Sequence, residues 1–106
     1  LVFAPALWRL EVANVLEMGV RRGRPEAAFR DATLADLALL PIRLDPETDR
    51  HAWGATARLA AHHGLRLYGA AYLELARRLG LPLATLDEEL RAAAQAEGVA
   101  LLGRAA

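Results

Sequence analysis

The 106-residue sequence contains no cysteine, no serine and no lysine. Without cysteine there is no disulfide, no thiolate chemistry and no Cys-based zinc site. Without serine there is no serine nucleophile, and the Walker loop, GxGxxG, HExxH and GxSxG patterns are also missing. Without lysine every basic residue is arginine, so each basic contact can be a bidentate fork onto phosphate. Thirteen basic and thirteen acidic residues cancel. No global field therefore draws the chain to nucleic acid or to a membrane, and any polyanion site must be a local patch. No apolar run reaches membrane-spanning length and no signal-peptide pattern is present. The expectation is a soluble cytoplasmic protein that does not engage a membrane.

What is present is enough for a core. Apolar residues make up 55% and charged residues 25%, an ordinary balance for a globular protein. A chain of this length is read as one domain, residues 1–106. It shows no internal repeat, low-complexity segment or linker.

Apolar and helical segments alternate along the chain. Leu1–Ala4 has strand character, and Pro5 opens a helix with Leu7, Leu10, Val12, Val15, Leu16 and Met18 on a broad apolar surface. Gly19 and the basic run Arg21, Arg22, Gly23, Arg24 end it. Pro25 starts a second helix to about Leu40, with Phe29, Leu34, Leu37 and Leu40 inward. Ile42–Leu44 is a short strand. Asp45 then caps a third helix with Pro46 at its first position. Trp53, Ala57, Leu59 and Ala60 face inward there, and Gly64 is the stop. The central stretch, Leu67–Asp87, reads as a helix with Tyr68, Tyr72, Leu75, Ala76 and Leu79 on one face, a stop at Gly80, and a buried strand Leu81–Thr85. A helix from about Glu88 to Glu97, a stop at Gly98 and a strand Val99–Leu102 complete the chain, with Gly103–Ala106 a loose tail. Alternation of this kind predicts an α/β fold with a parallel sheet covered by helices.

Few polar residues stand out. Glu11 lies on an otherwise apolar helix, where a buried carboxylate needs a partner; it can also simply face outward. Asn14, three residues on, is its neighbour. Asp87 follows the candidate strand at its carboxyl end, where open α/β sheets place ligands. Thr85 and Glu88 have capping-box spacing, and an acid in a first helical turn suits the dipole, so Asp87 has a structural explanation as well. His62 and His63 are adjacent and diverge on a helix, which argues against two ligands on one face. Asp31, Asp36, Glu47 and Asp49 read as solvated helix faces. Arg21, Arg22 and Arg24 read as a helix-end charge cluster.

Four segments in succession, PALWRLEVANVL (Pro5–Leu16), LPIRLD (Leu40–Asp45), HHGLRLYGAAYLELARRLGLPLATLDEEL (His62–Leu90) and EGVALL (Glu97–Leu102), resemble the PIN-domain nucleases and, within them, the VapC-type toxins of type II toxin–antitoxin pairs. The resemblance covers nearly the whole chain. It implies a three-layer Rossmann-like parallel sheet flanked by helices. It also implies a first strand, bearing the first acid of a D-x-S-type pattern, before Leu1 and so missing from this chain.

The resemblance further implies endoribonuclease chemistry. A few acids hold Mg²⁺ or Mn²⁺, which activates a water against an RNA phosphodiester. By position Glu11 matches the helix acid of the E-V-A-N pattern and Asp87 the acid of the T-x-D pattern. Both are expected to be catalytic metal ligands, with Thr85 and Asn14 as supporting residues. The acid of the family's Y-D-A pattern is replaced by Gly69, which should weaken metal binding and leave the chain impaired. The implied partners are an RNA substrate, a cognate antitoxin protein and a second copy in a homodimer. The alternative is a degenerate PIN domain that serves as a dimerisation or antitoxin-binding module without catalysis, and a third reading is a generic α/β fragment with no site.

Overall fold

The computed structural model describes residues 2–23 and 26–103. The chain divides after Leu44 into two compact units. The expected strand at Leu1, the helix-ending Arg24, the helix-opening Pro25 and most of the expected loose tail lie in part outside the described residues.

The first unit is a parallel β pair joined through two helices. Strand β1 (Val2–Ala4) leads to α1 (Trp8–Arg21) and α2 (Ala27–Leu37), and then to β2 (Ile42–Leu44). The strands pair in parallel with Val2, Phe3 and Ala4 opposite Ile42, Arg43 and Leu44. A parallel pair requires a crossover of this kind. Helix α1 starts three residues after Pro5, whose carbonyl accepts the Trp8 N–H in the entry turn. Gly19 does not stop α1; it is helical and buried in the last turn, and the positive φ that turns the chain belongs to Gly23. Glu17 on α1 accepts from Arg30 of α2 at 2.7 Å and from Arg21 at 3.1 Å. The Arg30 bond and then the Arg21 bond hold the Glu17 carboxyl below its ordinary range.

Part of the apolar surface of this unit is uncovered. Leu34 and Leu37 are half-buried as expected, but Phe29 and Leu40 are exposed, and so are Leu10, Val15 and Leu39.

The second unit holds the core. It runs through α3 (Thr48–Ala52), α4 (Ala55–His63), α5 (Leu67–Leu79) and α6 (Glu88–Ala96). Where the sequence suggests one helix from Asp45 to Gly64 there are two, broken at Trp53–Gly54. Gly54 sits at φ −111°, ψ −108°, outside the regions open to most residues. Trp53 at this break is 97% exposed rather than inward.

The core comprises Leu59, Ala60, Ala70, Leu73, Ala76, Leu83, Leu90, Ala93, Ala94 and Val99. Four of the ten are alanines on α5 and α6, which lets helix backbones approach closely. It also changes which face of α5 is buried. The inward side is Ala70, Leu73, Glu74, Leu75 and Ala76, while Tyr68 and Leu79 of the expected face are exposed.

Three helices end in the same way. Gly64, Gly80 and Gly98 take positive φ, and the next N–H (Leu65, Leu81, Val99) donates to the carbonyl five residues back (Ala60, Ala76, Ala94). This is the Schellman arrangement. It explains why the expected strands Leu81–Thr85 and Val99–Leu102 shrink to one parallel bridge, Leu83 with Leu101. The N–H groups of Leu81 and Val99 serve the helix ends, and ladder bonding is confined to Leu83 N–H to Ala100 O at 2.8 Å and Leu102 N–H to Leu83 O at 2.9 Å. No helix is long and apolar enough to cross a membrane among the described residues.

Candidate functional site

The expected site residues fall in both units. Glu11 lies in the first turn of α1, half-buried, where a negative side chain suits the helix dipole. Asn14 follows one turn later and is exposed.

Asp87 and Thr85 are brought together in the second unit, in a different way from the expected capping box. Thr85 Oγ1 accepts the Asp87 N–H at 3.2 Å, and Asp87 Oδ1 accepts the Glu89 N–H at 3.2 Å. Asp87 is therefore itself the N-cap of α6, in extended conformation at φ −71°, ψ 118°. Thr85 cannot take that role because its hydroxyl already turns the chain ahead of the cap. Arg91 Nη1 reaches back to Thr85 O at 2.8 Å and secures the same turn. The cap uses Oδ1, which leaves Oδ2 of this exposed carboxylate for an ion.

Gly69 is not a helix cap; Arg66 is the N-cap of α5, and Gly69 sits inside the first turn. A Cβ built there meets no heavy atom within 4 Å. The position therefore has room for the acid of the Y-D-A pattern, and the glycine is not enforced by packing.

The structure also reveals a polar network that sequence reading passes over. Asp45 is 4% exposed and Glu74 5% exposed, and both turn to Arg78. Arg78 Nη2 pairs with Asp45 Oδ2, and Nη1 lies 3.4 Å from Asp45 Oδ1. On the other side Arg78 Nε donates to Glu74 Oε2 at 2.8 Å and Nη2 to Glu74 Oε1 at 3.0 Å. Asp45 also accepts the Glu47 N–H at 3.0 Å and the Thr48 hydroxyl at 3.3 Å. Burial alone would raise the Asp45 carboxyl, but the Arg78 and Glu47 bonds outweigh it and hold it below its ordinary range. Arg78 is held above its ordinary range, first by Glu74 and then by Asp45. The signal in the sequence is the i, i+4 pair Glu74–Arg78, which ordinarily marks a solvated face. Here Glu74 sits between the buried Leu73 and Leu75, and the pair is drawn inward.

A match to the PIN domain runs from residue 1 to residue 96. The chain belongs to the PIN domain family. Ribonuclease VapC3 of Mycobacterium tuberculosis, in both the CDC 1551 / Oshkosh and H37Rv strains, is 37% identical over 91 residues, 82% of this chain and 61% of the relative. The chain thus spans about three fifths of the length of the curated relatives it matches. Among solved structures, that of PAE2754 from Pyrobaculum aerophilum is similar at a TM-score of 0.67 and 32% identity, covering 84% of this chain and 64% of that one. The α/β architecture with a small parallel sheet flanked by helices is that of this family, and the resemblance within it is to the VapC-type proteins.

Proposed function

We propose that this PIN domain is a VapC-type ribonuclease whose activity, hydrolysis of RNA phosphodiesters with a Mg²⁺- or Mn²⁺-activated water, is weakened by Gly69. The observation that carries the reading is the 37% identity to Ribonuclease VapC3, within a PIN match over residues 1–96. The donor chemistry fits a hard cation: Glu11 and Asp87 offer carboxylate oxygens, and Mg²⁺ bound through one or two carboxylates keeps most of its waters. When bound, the metal lowers the pKa of a coordinated water and neutralises charge on the phosphate.

The residues of this chain contribute in distinct ways. Glu11 and Asp87 are the proposed catalytic metal ligands. Thr85 supports Asp87 by fixing its main chain, and Asn14 is a polar group one turn from Glu11. Asp87 keeps its orientation because one oxygen is committed to the Glu89 N–H. At Gly69 the family's further acid is lost, so the cation has one carboxylate fewer. The proposed partners are RNA, a cognate antitoxin in a type II pair and a second copy of the chain, in the cytoplasm.

RNA cleavage by the full-length protein, with Mn²⁺ and with chelator, compared with its Gly69→Asp variant, tests this. The variant is expected to cut faster, and only with metal. Equal cleavage by both would show that the position is not part of the site, and chelator-resistant cleavage would remove the metal from the mechanism.

A second reading, a binding module without catalysis, is favoured by one observation. Leu10, Val15, Phe29 and Leu39 are large apolar side chains left exposed on the first unit, and a partner chain would cover them. It predicts that the Gly69→Asp protein stays inactive while still forming a dimer or an antitoxin complex.

A further inference from the structure

We propose that His62, His63 and Glu97 form a binding site for one transition-metal dication of the Zn²⁺ class, separate from the acidic residues of the nuclease reading. The three offer one ligand atom each, all within 4.8 Å of one another. His63 Nε2 lies 2.7 Å from Glu97 Oε2, and the His62 and His63 rings meet edge to face with centroids 4.6 Å apart. Adjacent histidines diverge in the middle of a helix. These two occupy the last turn of α4, next to the left-handed Gly64, and their rings meet there.

Two imidazoles and a carboxylate are a donor set that suits Zn²⁺, with water completing the tetrahedron. Ligand atoms about 2.0–2.1 Å from an ion stand about 3.3 Å apart in that geometry. The His63–Glu97 pair is slightly inside this spacing, and His62 must swing inward. His62 is exposed and free to do so. His63 and Glu97 are less mobile, their side chains being 12% and 18% exposed.

The surroundings are mixed in sign. The α4 carbonyl end and the α6 carbonyl end, where Glu97 is the C-cap, both favour a cation. Arg58 and Arg77 line the adjoining cleft and oppose it. Arg77, however, holds Glu97 Oε1 at 3.2 Å, while His63 faces Oε2. A metal on Oε2 can therefore leave Arg77 in place, as an outer partner that orients the carboxylate. Zn²⁺ bound there would displace the proton that His63 Nε2 and Glu97 Oε2 share. Such a site would tie the end of α4 to the end of α6 and brace the second unit.

The test is a ZnCl₂ titration by calorimetry, with circular-dichroism melts in Zn²⁺ and in chelator. The proteins compared are the unmodified chain, His62→Ala, Glu97→Gln and Asp87→Asn. We expect one Zn²⁺ per chain and a melting temperature raised by Zn²⁺ in the unmodified chain and in Asp87→Asn. Both effects should disappear in His62→Ala, whose exposed position keeps that variant folded, and in Glu97→Gln. No binding by the unmodified chain, binding undiminished in His62→Ala, or binding lost in Asp87→Asn would each overturn the proposal.

Discussion

Replacing Arg78 with methionine tests how far the second unit depends on its buried charges. The guanidinium is the cation shared by two carboxylates whose side chains are 5% and 6% exposed. Once it is gone, Asp45 keeps the Glu47 N–H and the Thr48 hydroxyl. Glu74 keeps only a distant His51, 4.0 Å from Oε2, among the described partners. Breaking one buried ion pair by removing a partner costs about 3–5 kcal/mol. The Arg78 side chain is itself 22% exposed, which argues for the lower end, but two pairs break at once. A loss of about 4 kcal/mol is a large share of the roughly 5–15 kcal/mol that holds a domain together. It should lower the melting temperature by on the order of 15 °C or more.

The same variant carries a pH signature. In the parent protein the depressed Asp45 carboxyl contributes stability above its ordinary value of 3.8, and that stability is lost as pH falls through the lower folded value. Without Arg78 the part of this acid-labile stability that the guanidinium supplies is already gone, so the variant's deficit should shrink toward acid. Urea unfolding followed by circular dichroism across pH measures both effects. A deficit at pH 7 under about 1 kcal/mol, the range of exposed ion pairs, would refute the reasoning. So would a deficit that grows toward acid.

Two further outcomes follow from side chains already described. Leu73, fully buried on α5, should cost about 2–5 kcal/mol as Leu73→Ala, read from the urea midpoint at unchanged slope; a smaller loss would mean that neighbouring alanine-rich surfaces close the gap. Asp87→Asn keeps a side-chain oxygen for the Glu89 N–H, and asparagine caps as well as aspartate, so stability should hold within a few tenths of a kcal/mol. Metal-dependent cleavage by the Gly69→Asp protein should nevertheless vanish in the combined variant, and retained cleavage would take Asp87 out of the site.

The parts of this fold legible from sequence are those dictated by backbone chemistry. Gly64, Gly80 and Gly98 were identifiable as helix stops because glycine alone enters the left-handed region without steric penalty. Leu83 and Leu101 stand in segments apolar enough to be read as strands. What escaped depends on neighbours the sequence does not display. Nothing local distinguishes Gly19, which stays helical, from Gly54, which breaks a helix. The inward face of α5 is chosen by small residues, Ala70 and Ala76, rather than by Tyr68 and Leu79. Glu74–Arg78 has the spacing of a surface pair and becomes internal only because Asp45 is turned toward it. For the candidate site, sequence supplied Glu11, Asn14, Thr85 and Asp87 through motif resemblance. It allowed Asp87 a capping role beside the metal role but put the box at Thr85, and it missed that helix-end geometry brings His62 and His63 together.

The exposure of Trp53 has a spectroscopic consequence. The chain has two tryptophans: Trp8, half-buried at the start of α1, and Trp53, fully solvated at the break before α4. An indole already in water changes its emission little when the chain around it unfolds. Tryptophan emission, excited apart from Tyr68 and Tyr72, will therefore follow the first unit, through Trp8, and be nearly silent about the second, which contains the packed core. Fluorescence and circular-dichroism transitions that fail to coincide would then report two units of unequal stability, and a quencher such as acrylamide should reach one fluorophore freely and the other only in part.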